Sequence, residues 1–316
     1  MTSRLLPNSA IARRVWSAAE NFWPRSLTLP SPDPLGRHLT GSRRHLAGRR
    51  CDPCGESSLA SEAFPEALGF KNGDTSVHTS RTMMLAELGE ILSAVPVEGS
   101  REDYWRAAIE DNALGKPSMV TRRSTIAHMT ELYGLTPGMP LFRNLRRLWP
   151  HAGLGRPMLA LLCACARDPL LRLTAPNALK AKEGATIPRA QVEEVIATGA
   201  PGRFSPKTIR SVAQATNSTW TQSGHFTGRA KKVRSRPRVT REAVAYALFL
   251  GHLCGLRGPA LFTSFWASLL DRRPEEVLTL AEEASAAGLL TLKQAGPVVE
   301  VGFPGWLTPE EEALLR

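Results

Sequence analysis

From about residue 80 onward, apolar residues recur every three and four positions, the spacing of one helix face. Met84, Leu85, Leu88, Ile91 and Leu92 predict a helix over Thr82–Val95. Ser100 reads as the N-cap of the next, with Tyr104, Trp105, Ala108 and Ile109 inward. Thr121 caps a third (Ile126, Met129, Leu132, Tyr133) that ends at Gly134, and Pro140 opens a fourth (Leu141, Leu145, Leu148, Trp149). Met158–Ala166 is apolar on nearly every side and is expected at the centre of a bundle. Leu170–Leu179 and Pro188–Thr198 continue the helical pattern on either side of a linker at Ala181–Ala185.

The helical period resumes at Ser205 and changes only near Thr219. Ser205-Pro206 reads as N-cap and first helical position, and Ile209, Val212, Ala213 and Thr216 form a stripe down to about Thr219. Thr219–Phe226 suits a strand, Thr227-Gly228 a turn, and Arg229–Arg236 a returning strand stopped by Pro237. Trp220 is expected to plug the core under this hairpin. A helix and then a hairpin outline a winged helix-turn-helix, with Pro188–Thr198 as the helix before the recognition helix. Further on come an apolar helix at Ala243–Cys254, a second at Leu261–Leu270, and a third opened by Arg273-Pro274 and closed by Gly288. Leu289–Lys293 and Val298–Phe303 read as strands joined around Ala295-Gly296, and Thr308–Arg316 as a short acidic helix or tail.

The expected fold class is mainly α. An N-terminal helical bundle (77–182) precedes two winged helix-turn-helix-like modules with small β-hairpins (183–239 and 240–316). Residues 1–76 scatter prolines and glycines among nine arginines without sustained periodicity, and are expected to form a mostly disordered Arg/Pro-rich extension. Within it, Met1–Trp23 matches one amphipathic helix.

Charge sharpens this outline. The 316 residues carry 40 Lys and Arg against 29 Asp and Glu, a net charge of +11. Such a balance points to a nucleic acid or an anionic surface. Ten of the cations fall within 201–241, a stretch with no carboxylate at all, as expected of a surface that meets a phosphate backbone. On the predicted helix, Lys207, Thr208, Arg210, Ser211 and Gln214 lie off the apolar stripe and would face a groove. Ser218, Thr219 and Gln222 supply hydrogen-bonding groups at the mouth of the hairpin, and Arg229, Lys231, Lys232, Arg234 and Arg236 would grip the backbone. Arg122 and Arg123, with Arg143, Arg146 and Arg147 on the following helix, mark a second candidate DNA-facing pair. The helix before the terminal hairpin is instead acidic (Glu275, Glu276, Glu282, Glu283). The last module therefore reads as a packing or partner-binding unit.

Little in the sequence points to catalysis. There is no phosphate-binding glycine loop, no nucleophile elbow, and no closely spaced histidine pair among the seven histidines. Cys51 and Cys54 supply two thiols where a structural zinc needs four ligands, and Cys163 and Cys165 read as buried thiols. No apolar run approaches the ~20 residues of a membrane span. The expectation is a non-enzymatic, cytoplasmic protein without cofactor or membrane partner that binds double-stranded DNA. The alternatives are a scaffold docking an acidic protein partner and a structured-RNA binder.

Four motifs together resemble a known family. They are Ser-x-x-Thr at Ser205–Thr208 with its basic hairpin, Ala-Tyr-Ala-Leu at Ala245–Leu248, Gly-Leu-Arg-Gly at Gly255–Gly258, and Ala-Gly-x-Val-Val at Ala295–Val299. The pattern is similar to BrxA, the small protein of BREX bacteriophage-defence systems, over roughly residues 80–303. The resemblance implies a bacterial, helix-rich DNA-binding protein that serves a multi-protein defence complex. It assigns no individual binding residue. Members of that family are shorter than this chain.

Overall fold

The computed structural model describes residues 64–296 and 298–315, which belong to one compact unit, Glu62–Arg316. The extension up to residue 63, its predicted helix at Met1–Trp23 and the Cys51/Cys54 pair lie outside the described residues. The chain is largely α-helical and carries two small, open β-sheets.

The first helices follow the apolar spacing closely. They are α1 (Leu85–Ala94), α2 (Arg101–Ile109), α3 (Met119–Tyr133) and α4 (Pro140–Leu148). Ser100 and Asp103 close a capping box on α2, so two otherwise orphaned amides are satisfied reciprocally. The cap of α3 is Ser118 rather than Thr121, because the Ser118 hydroxyl accepts the Thr121 amide at 3.2 Å. Helix α5 (Arg156–Arg167) forms the centre, with every residue from Met158 to Arg167 buried. Helix α6 (Pro169–Lys180) restarts from Asp168, whose carboxylate caps it.

Strand β1 (Thr186–Ile187) follows, then α7 (Arg189–Gly199) and α8 (Pro206–Gln222). Strands β2 (Phe226–Thr227) and β3 (Lys232–Arg234) complete an antiparallel sheet of order β1-β3-β2. β1 is absent from the sequence reading because two residues are too few to show alternation. Of the strand expected over Thr219–Phe226, the first half (219–222) is helical instead and Phe226 alone is in a strand. Thr216, Thr219 and Trp220 keep the α8 stripe inward for another turn, and Gly224 at φ 88° ends it.

Beyond the sheet, α9 (Arg241–Leu253) is buried along almost its whole length and lies against α4 and α5 on one side and later helices on the other. A 3-10 helix at Gly258–Thr263 and the short α10 (Phe265–Ser268) replace the single helix expected over Leu261–Leu270. Helix α11 (Pro274–Ala286) leads to the β4–β5 hairpin (Thr291–Ala295, Val298–Gly302) and to α12 (Pro309–Ala313). Phe249, Phe303 and Trp306 cluster with ring centroids 4.7–5.5 Å apart, which fastens the terminal segment to α9.

The ordered core also reaches back before residue 77. Leu68 and Phe70 are buried, and Phe64 and Phe70 lie against Trp266. Residues 64–76, which lack periodicity in sequence, are thus packed by tertiary contacts.

Candidate nucleic-acid interface

Helix α8 divides its residues cleanly. Ser205 accepts the Thr208 amide at 3.2 Å and Pro206 occupies the first turn, so the helix start is set locally. Val212, Ala213, Thr216, Asn217, Thr219 and Trp220 are buried against the rest of the domain. The Trp220 indole donates to Thr174 at 3.0 Å and meets the His225 ring edge-on at 5.0 Å, as its core placement predicts. Lys207, Arg210, Ser211 and Gln214 are exposed on the opposite face, with Thr208 and Ser218 half-buried beside them.

The hairpin that follows turns at Gly228 (φ 86°), where a Cβ would lie 2.1 Å from the Lys231 carbonyl oxygen. Only glycine permits that approach. Arg229 and Lys231 are exposed at the tip. The Lys232 ammonium, lowered from its usual range by partial burial, donates to the Gly228 carbonyl at 2.9 Å. Exposed Arg236 lies 3.8 Å from Glu183, and Arg238 is exposed next to buried Pro237. Among the described residues, no carboxylate comes within ion-pair distance of Lys207, Arg210, Arg229, Lys231 or Arg238.

Several residues expected at this surface are elsewhere. Arg234 is buried at 4% exposure. Its guanidinium donates to the carbonyls of His225 and Ser235 and sits 2.9 Å from Asp271, where it anchors the hairpin to the segment before α11. Burial, and then the Arg234 charge, lower His225 to about 3, so a neutral imidazole sits beside that ion pair. Arg272 adds a second tie, donating to the Pro237 carbonyl at 2.8 Å. Thr219 is fully buried, and Gln222 is turned toward α1, with its amide donating to Thr82 at 3.1 Å.

Most arginines of the second candidate pair have partners within the fold. Arg143 pairs with Glu311, Arg146 is buried and donates to the Val95 carbonyl at 2.6 Å, and Arg147 stacks 4.4 Å over the Trp306 ring. Arg122 donates to the Ile109 and Lys116 carbonyls, while Arg123 remains exposed. Helical spacing alone placed these arginines on an outer face. The terminal segment engages Arg143 and Arg147 through Glu311 and Trp306 and leaves Arg147 exposed, whereas Arg146 turns inward to Val95.

A buried polar chain that sequence reasoning missed holds α8 in place. Asp168 Oδ1 accepts the Ser76 hydroxyl at 2.7 Å and the Leu171 amide at 3.1 Å. Its Oδ2 accepts the Val77 amide at 2.9 Å and the His78 ring Nδ1–H at 2.8 Å. The other ring nitrogen of His78 meets the Thr219 hydroxyl of α8 at 2.8 Å, and that hydroxyl also accepts the Met83 amide at 2.9 Å. Burial raises the Asp168 pKa, but the His78 charge and the converging donors outweigh it and hold the carboxyl at about 2. The signal present in sequence was Asp168-Pro169 as a helix cap. Nothing marked His78 as its partner across 90 residues.

Among the described residues, no cluster of three or more His, Cys, Asp or Glu is placed to hold a metal ion, and no helix is long and apolar enough to cross a membrane. Comparison with protein-family models, curated proteins and solved structures finds no match.

Proposed function

We propose that β1–α7–α8–β2–β3 acts as a winged helix-turn-helix that binds double-stranded DNA. Helix α8 would lie in the major groove and the β2–β3 hairpin against the adjoining backbone. The observation that carries the reading is the shared exposure of Lys207, Arg210, Ser211 and Gln214 on α8 and of Arg229 and Lys231 on the hairpin, in a stretch without carboxylates. Exposed cations without acidic partners are available to phosphates, and polar side chains on a helix face match the donors and acceptors of base edges. The α9–α11 helices with the β4–β5 hairpin repeat the plan with an acidic helix. That unit serves packing and partner contacts in this reading. The resemblance to BrxA supports a place in a phage-defence complex.

The test is binding of a labelled ~30-base-pair duplex across a salt series, where each phosphate contact contributes about −0.9 to the slope of log K against log salt. Five unpaired cations predict a slope of about −4.5 for the wild type. Lys207→Glu/Arg210→Glu/Lys231→Glu is expected to abolish most binding while keeping the helical circular dichroism of the wild type. Absence of duplex binding by the folded wild type at low salt overturns the proposal. A tighter grip on structured RNA than on duplex DNA in direct competition overturns the choice of nucleic acid.

A further inference from the structure

We infer that the depression over Arg167 is a binding site for a small organic phosphate with a flat ring, of mononucleotide size. This site uses other residues than the duplex surface and does not rest on the duplex-binding reading. Arg167 ends α5 and is only 9% exposed. Its guanidinium donates to the Gly69 carbonyl and, at 3.2 and 3.0 Å, to the Glu131 carbonyl. Among the described residues, no carboxylate lies within ion-pair distance of it. A buried cation held by carbonyls alone is costly, and an anion at the same point offsets that cost. The remaining contact of the guanidinium is the Met139 thioether at 3.3 Å, a weak acceptor.

Met139 divides the depression into two cavities. One of about 760 Å³ has Phe70, Lys71 and Thr75 in its wall, and one of about 420 Å³ has Arg101 and Trp105; Thr136, Met139 and Arg167 line both. Small-molecule sites typically enclose roughly 300–1,000 Å³. Gly69 (φ 107°) and Gly134 (φ 89°) make room for the Met139 side chain, which a Cβ at either position would meet at 2.6 and 1.8 Å. An unbranched thioether is flexible and yields its seat to a stronger acceptor. A phosphate in that seat takes guanidinium N–H groups through two oxygens, a geometry that suits arginine better than lysine. Lys71, Arg101 and Arg167 outnumber Glu66 and Glu131 in the lining, and Glu131 is already paired with Lys71. The balance therefore favours an anion. Trp105, half-buried, gives the smaller cavity an aromatic ring on which a base stacks.

The experiment titrates the full chain with adenosine monophosphate by calorimetry, with adenosine, ribose phosphate and inorganic phosphate as separate arms. The nucleotide is expected to bind about tenfold more tightly than each of the other three, because each lacks the charged contact or the stacked ring. Arg167→Lys keeps the charge, loses the fork and is expected to weaken the nucleotide about tenfold. Met139→Ala clears the seat and is expected to tighten it about threefold. Trp105→Leu should bring nucleotide and ribose phosphate to within about twofold of each other. Lys207→Glu/Arg210→Glu/Lys231→Glu reverses the duplex surface and is expected to leave nucleotide affinity unchanged. Any of four results overturns the inference. They are no nucleotide binding by the folded wild type at ~1 mM, inorganic phosphate binding as tightly as the nucleotide, unchanged affinity in Arg167→Lys, and loss of binding in the triple variant, which would move the nucleotide to the duplex surface. If circular dichroism shows Arg167→Lys to be misfolded, Met139→Ala decides instead, and affinity no tighter than wild type overturns the inference.

Discussion

Replacing Asp168 by Asn tests whether the buried chain from Asp168 through His78 to Thr219 positions α8. The two side chains are nearly isosteric, so packing is conserved and the change falls on hydrogen bonding and charge. Oδ1 faces the Leu171 amide, and Oδ2 faces the Val77 and His78 amides, all fixed donors. In either orientation the new NH₂ group therefore meets a backbone N–H, losing an acceptor where no water reaches. An unsatisfied buried donor costs about 1–3 kcal/mol, and loss of the carboxylate beside His78 adds to that. Asn is itself a good N-cap, so the start of α6 loses little. The expected total is about 3 kcal/mol, a large part of a typical domain's stability. Urea unfolding at pH 7 followed by tryptophan fluorescence measures it. Because Thr219 on α8 is the last group in the chain, duplex affinity should also fall at temperatures where the variant stays folded. A variant within about 0.5 kcal/mol of wild type, with unchanged affinity, would refute the reasoning, since a neutral amide would then satisfy the same donors.

Two further outcomes are expected. Arg234→Met should destabilise the fold by about 3 kcal/mol by leaving Asp271 without its cation, yet change the salt slope of duplex binding by much less than one phosphate contact; a full unit of slope lost at unchanged stability would return Arg234 to the DNA surface. Stability should also decline as pH drops below about 6.5. His225 and His252 are held at about 3 and about 4 by burial, so the unfolded chain takes up protons first and the stability they contribute is lost as pH falls toward those values. Urea midpoints between pH 6 and 5 should shift to lower urea, and His225→Gln should flatten that dependence.

How much of this was legible in the sequence depends on the distance over which each decision is made. The α8 start follows from Ser205 and Pro206, which act within one turn, and the two-faced character of the helix follows from Val212, Ala213 and Thr216. The tip of the β2–β3 hairpin follows from Gly228. The buried central helix was legible at Met158–Ala166 because no solvated face could be drawn through it. The exposed residues of the candidate surface, Lys207, Arg210, Gln214, Arg229 and Lys231, were likewise readable from local position and charge.

What the tertiary structure alone decided were the fates of polar groups whose partners are remote. Arg234 sits in the same cationic run as Lys231, yet Asp271 draws it inside. Of the outer-face arginines of α4, Arg146 is buried and donates to the Val95 carbonyl, Arg143 pairs with Glu311, and Arg147 stays exposed while stacking over Trp306. Thr219 looked like the start of a strand and became the end of a helix, because His78 and Met83 supply partners for its hydroxyl inside the core. Helical spacing and capping are short-range and are written in adjacent residues. Burial of a charge or hydroxyl is favourable only when a complementary group arrives from elsewhere in the chain, and only the folded arrangement shows which group arrives.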